Sequence, residues 1–177
     1  MIGRYPARER GRAQEGALDV SGHARTRWGH LAAAWALVFA AVHVYWALGG
    51  EIGLASSAGA SLATRRPLSF VVFGLWGAAF LLLAGAGLAG ALVRCRFAGR
   101  LGRIVRFLGW AAGLFLLVRA AAIEALLLTG WYGVRTAVGP AQAHASLLLW
   151  NPWFFLGGVF FALASRDCRR RAGLRRR

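Results

Sequence analysis

Four long apolar stretches, separated by segments rich in arginine, restrict this chain more than any other feature. They run over residues 28–48, 68–93, 104–129 and 147–165. Each holds about 18–26 residues, and a helix rising about 1.5 Å per residue crosses a hydrocarbon core of about 30 Å in about 20. A water-soluble domain needs a polar surface, yet 58% of these 177 residues are hydrophobic and the polar ones fall mainly outside the four stretches. The expected fold is all-α: a polytopic integral membrane four-helix bundle over residues 28–165. A disordered basic tail, 1–27, precedes it and a second basic tail, 166–177, follows.

The net charge of +16 comes with 22 basic residues, every one an arginine. With 24 glycines and much alanine, this suggests a GC-rich coding bias. A nucleic-acid partner is rejected, because the arginines sit at segment ends with no binding motif around them. Six precede the first stretch: Arg4, Arg8, Arg10, Arg12, Arg25 and Arg27. Five surround the second connection (Arg94, Arg96, Arg100, Arg103, Arg106) and seven follow the last stretch (Arg166, Arg169, Arg170, Arg171, Arg175, Arg176, Arg177). The remaining connections, 49–67 and 130–146, carry only Arg65, Arg66 and Arg135. Eighteen against three is the bias expected of a protein with both termini in the cytoplasm. The expected partners are therefore anionic lipid headgroups, each inner arginine contributing about 1 kcal/mol near the surface. Cleavage of the first stretch as a signal peptide is not expected, because it is too long and carries His43, Tyr45 and Trp46.

Cys95 and Cys168 both fall on the cytoplasmic side in this orientation. That compartment is reducing, so a disulfide is not expected, and two isolated cysteines make no zinc motif. Small residues supply the expected helix contacts: Gly109 and Gly113 in the third stretch, Ala86/Gly90 and Gly87/Ala91 in the second, Gly158 and Ala162 in the fourth. Whether these contacts lie within one chain or build a homo-oligomer or larger membrane complex is not legible. Gly130 suits a helix C-cap, Gly139-Pro140 a turn, and Asn151-Pro152 a late start of the fourth helix.

The remaining polar residues gather toward the outer ends of the stretches. His43, Glu124 and Asn151 each lie about five residues from an outer boundary, a shared depth of roughly 7 Å. Glu51 lies just above, and Tyr45, Trp46 and Trp153 crowd the same level. Interfacial aromatics need no functional explanation, whereas a carboxyl in a span usually faces the bundle interior or water. Arg119 is the deepest charge. Glu124 follows it by five residues, roughly 140° around a helix, whereas a clean pair prefers three or four. A metal site from His43, Glu124 and His144 has suitable ligand types but no supporting spacing. No catalytic residue and no cofactor is expected, since nucleophile motifs are missing from the sequence.

His43-Val44-Tyr45-Trp46-Ala47-Leu48-Gly49-Gly50, a third stretch with Arg119 and Glu124, and Leu149-Trp150-Asn151-Pro152-Trp153-Phe154-Phe155-Leu156-Gly157-Gly158 together resemble the family called domain of unknown function 3995. These are small bacterial four-span membrane proteins. The resemblance covers about residues 28–165 and implies the architecture and an inner-membrane location, but no activity. Three functions are expected as alternatives. One is non-enzymatic binding of a small molecule, ion or lipid headgroup at a polar, aromatic-rimmed pocket of His43, Tyr45, Trp46, Glu51, Arg119, Glu124, Asn151 and Trp153. The second is a membrane-embedded enzyme acting on a lipid-like substrate. The third is a structural or assembly partner.

Overall fold

The computed structural model describes residues 7–174 apart from 96 and 98, and side chains from Arg27 onward, Tyr132 excepted. All of its regular structure is helical. Helix α1 (Ala7–Ala47) is followed by short α2 (Leu54–Ala58) and α3 (Ala60–Arg65), then by a wide π turn, Phe70–Trp76, that leads into α4 (Gly77–Arg94). Helix α5 (Gly99–Thr129) precedes short α6 (Val134–Val138) and α7 (Pro140–Ala145). A second π turn, Ser146–Trp150, leads into α8 (Asn151–Leu174). Among the described residues four segments are long and apolar enough to cross a membrane: Arg27–Ala47, Phe70–Arg94, Gly99–Thr129 and Pro140–Leu174.

The expected tail 1–27 lies partly outside the described residues. From Ala7 the backbone is already helical, a continuation favoured by the alanines, arginines, glutamates and glutamine of that segment. The connections 49–67 and 130–146 also hold short helices. Gly130 (φ 67°) and Gly139 (φ 82°) take the left-handed and related conformations that stop one helix and start the next. Pro152, the second residue of α8, brings no backbone N–H, and the π turn before it takes up the changed register.

Helix α1 packs along α4 and α8, and α5 packs along α8, whereas α4 meets α5 over a much smaller stretch, where Leu92 lies against Gly109. The order around the bundle is thus α4, α1, α8, α5. Ala32, Trp35, Ala36 and Phe39 recur at helical spacing on α1 and bury against Ala89 and Leu92 of α4 and Phe161, Ala164 and Cys168 of α8. A smaller second cluster joins Trp46, Leu54 and Leu75. The weak α4–α5 seam leaves an apolar cavity of about 470 Å³ beside Trp35 and Phe161.

Glycine explains the tight α5–α8 seam. A Cβ at Gly113 would lie 3.0 Å from the Gly158 oxygen and 3.0 Å from the Ala162 nitrogen, and one at Gly158 would meet the Gly113 oxygen at 2.9 Å. Backbone approaches backbone there, which only small residues permit. On the second span the expectation holds for Ala86, which packs against the core, and fails for the two glycines. Gly87 faces open space and Gly90 meets only Arg94 of its own helix, because α4 turns Ala89 and Leu92 toward α1 and α8 instead.

The cysteine expectation is corrected. Cys95, just after α4, and Cys168 of α8 form a disulfide, with Cα atoms 5.6 Å apart across 73 residues of sequence. Compartment chemistry speaks to whether thiols stay reduced. It does not speak to whether two helix ends meet, and these do. Beside the bond, Arg171 donates from Nη1 to the Val93 carbonyl (2.8 Å) and from Nη2 to the Leu92 carbonyl (3.0 Å). Those carbonyls end α4 and have no partner within the helix, so a cation is favoured there.

Candidate functional site

Arg119, Glu124 and Asn151 come together where α5 meets the start of α8. Arg119 Nη1 donates to Asn151 Oδ1 at 3.1 Å, and Asn151 Nδ2 donates to Glu124 Oε2 at 2.7 Å. The five-residue gap that keeps Arg119 and Glu124 from a simple helical pair is thus bridged from another span. The amide orientation follows from charge: its oxygen must face the guanidinium and its NH₂ the carboxylate. Asn151 is only 3% exposed, so each end of its amide needs the partner it has. The guanidinium also lies 3.6 Å from the ring centroid of Phe154, a cation–π contact that shields its other face.

Glu124 and Asn151 open onto a recess of about 530 Å³, otherwise walled by Ala120, Ala121, Pro152, Phe155 and Leu156. The wall is apolar apart from one carboxylate and one amide. That arrangement offers an acceptor at the edge of a greasy space. It can hold a hydrogen-bond donor carried on an apolar body.

The other expected residues fall elsewhere. His43 Nδ1 donates to the Phe39 carbonyl at 2.9 Å, and its imidazole packs against Phe39 (4.6 Å between centroids) and Trp46 (5.1 Å). It reaches the polar trio through two aromatic rings, since Phe39 packs on Phe154 at 5.3 Å and Phe154 carries Arg119. Common depth did not bring common direction. Trp46 is buried and gives its indole N–H to the Ile52 carbonyl at 2.8 Å, while the Tyr45 hydroxyl accepts from the Ile52 amide at 3.4 Å. Both pin the loop after α1. Trp153 stacks on Trp35 at 6.0 Å and accepts the Trp35 indole N–H on its carbonyl at 2.9 Å. Glu51 is exposed in the outer loop. Among the described residues no three histidine, cysteine or acidic side chains are grouped as metal ligands.

Helical spacing already sets Ala120 on the face of Glu124 and Phe155 on that of Asn151, whereas Phe154, Ala121 and Leu156 were missed by sequence reasoning. Phe154 could have been found as the ring three residues after Asn151 on one face of a helix. Ala121 carries no chemical signal at all.

Residues 36–161 match the profile of a family described as "protein of unknown function (DUF3995)". The chain belongs to that family. Neither a curated protein nor a solved structure matches it. The DUF3995 match includes Arg119, Glu124, Asn151 and Phe154, so the whole polar trio lies inside the family domain. Cys95 lies inside it and Cys168 beyond its end. The disulfide therefore ties the DUF3995 match to the part of α8 that runs on past its end.

Proposed function

We propose that this DUF3995 protein is a multi-pass protein of the bacterial inner membrane, with both termini cytoplasmic, that binds an amphiphile without chemistry at the Glu124–Asn151 recess. Membrane residence is supported by the apolar exterior: Phe73 (80% exposed), Leu81 (73%), Phe107 (69%) and Phe115 (68%) would all face water otherwise. The arginine bias supports the orientation. The observation that carries the binding reading is an otherwise apolar recess with a carboxylate at its edge. The ligand class it suits has an apolar body and an ammonium or hydroxyl head, as in a lipid with an amine headgroup.

The test uses purified protein and phosphatidylethanolamine, with retention read by native mass spectrometry. Glu124→Gln removes the charge while keeping the shape, and should weaken retention roughly ten-fold, the value of one charge-assisted hydrogen bond. Ala121→Leu fills the recess without touching the trio and should weaken it as well. Equal retention by wild type and both variants ends this reading.

A second reading is favoured by the closed chain of hydrogen bonds from Arg119 to Glu124. In it the trio only clamps α5 to α8 and fixes their register, as in an assembly partner. For an acid–base pair of His43 and Glu124, as an enzyme would need, no hydrogen bond joins the two among the described residues, and the contacts that link them run through the rings of Phe39 and Phe154.

A further inference from the structure

The arginine-rich end of the same α5–α8 seam carries a recess of opposite character. Arg103 and Arg106 of α5 and Arg169 of α8 line a cavity of about 240 Å³, together with Ala172 and Gly173. The space beside Gly173 is open: a Cβ there would meet nothing within 4 Å. Three arginines from two helices thus line one hollow whose other walls are small.

The neighbouring arginine shows that this is not the general condition of the basic end. Arg171 is committed to the carbonyls of Leu92 and Val93. Among the described residues Arg103, Arg106 and Arg169 have no such hydrogen bond or ion pair. Among the described residues no carboxylate lines the hollow. The acid nearest in sequence is Asp167, two residues before Arg169 and so roughly 200° around the helix, on the opposite face. Three like charges held together without a counter-charge repel one another, and an anion between them removes that cost. Planar guanidinium forks match the oxygens of a phosphate group in pairs.

We propose that Arg103, Arg106 and Arg169 form a phosphate-binding site at the cytoplasmic end of the α5–α8 seam. The same oxyanion chemistry is offered by an anionic phospholipid headgroup and by a soluble phosphate. The site needs neither Glu124 nor the ligand of the outer recess.

The experiment is native mass spectrometry of the purified full chain titrated with phosphatidylglycerol, and in parallel with that lipid plus inorganic phosphate. The triple variant R103Q/R106Q/R169Q should bind the lipid at least roughly ten-fold more weakly than wild type, from the loss of three near-surface charges. A charge-matched control, R100Q/R166Q/R170Q, should lose much less. Displacement of the lipid by inorganic phosphate would identify a soluble phosphate as the natural occupant, and resistance to it a lipid headgroup. Either result supports the site. Equal weakening in the two triple variants, or no lipid retained by wild type, overturns it. Arginine modification by phenylglyoxal gives a readout on the unmutated protein. Phosphatidylglycerol should protect Arg103, Arg106 and Arg169 before Arg100, Arg166 and Arg170, and uniform protection overturns the proposal.

Discussion

At the scale of single residues, Asn151 is the most consequential side chain. It is buried, and each half of its amide serves a different charged group. Replacing it with leucine leaves both Arg119 and Glu124 half-buried with their main partner gone, and leaving such groups unsatisfied costs about 1–3 kcal/mol. Thermal unfolding in detergent should show Asn151→Leu well below wild type and Glu124→Gln only slightly below it, by about 1 kcal/mol. The combined variant R119M/E124L/N151L should recover much of the loss, because no charge is then left buried. A combined variant worse than Asn151→Leu alone would mean that the trio contributes net stability. The trio was half legible: Arg119 and Glu124 could be seen as mismatched on one helix, but no spacing rule names an asparagine on another as the bridge.

At the scale of elements, the α5–α8 pairing depends on glycine and the α4 exterior does not. Gly113→Leu drives a side chain into the backbone of α8, where Gly158 and Ala162 stand at 3.0 Å. It should cost more than about 2 kcal/mol, because backbone atoms cannot move aside as a side chain would. Gly87→Leu points into open space and should stay within about 1 kcal/mol of wild type, gaining helix propensity. Unfolding midpoints of the two variants, measured side by side, test the assignment; similar values would contradict it. Both glycines look alike in the sequence, since each sits among small residues at four-residue spacing. Which face meets a neighbour is decided by the rotation of each helix, and rotation is set by all its contacts together.

At the scale of the whole molecule, the disulfide and the arginine bias bear on one another. The Cys95–Cys168 bond sits at the arginine-rich end, which the proposed orientation puts in a reducing compartment. Alkylation of intact growing cells, followed by gel-shift labelling, should therefore find both cysteines as thiols. The same protein purified without reductant should carry the closed bond. Cysteines introduced at residues 135 and 100 of a chain lacking the native pair should be labelled from outside and from inside respectively. A bond already closed in growing cells, together with residue 100 open to the exterior, would reverse the orientation. The two measurements use different chemistry, so agreement between them is informative.

Four apolar lengths, the arginine asymmetry and the family motifs are local properties of the chain. The sequence alone therefore determined an all-helical protein with four segments suited to a bilayer, and its family. Periodicity and depth could be read along each helix because they depend only on residue spacing. Tertiary structure alone decided what meets across helices: the α4–α1–α8–α5 order, the separation of His43 from Glu124, the Asn151 bridge and the Cys95–Cys168 bond. Each of these depends on the relative rotation of rods whose apolar surfaces are nearly uniform. In such rods the apolar pattern favours no single rotation, and a few small or polar side chains choose among them.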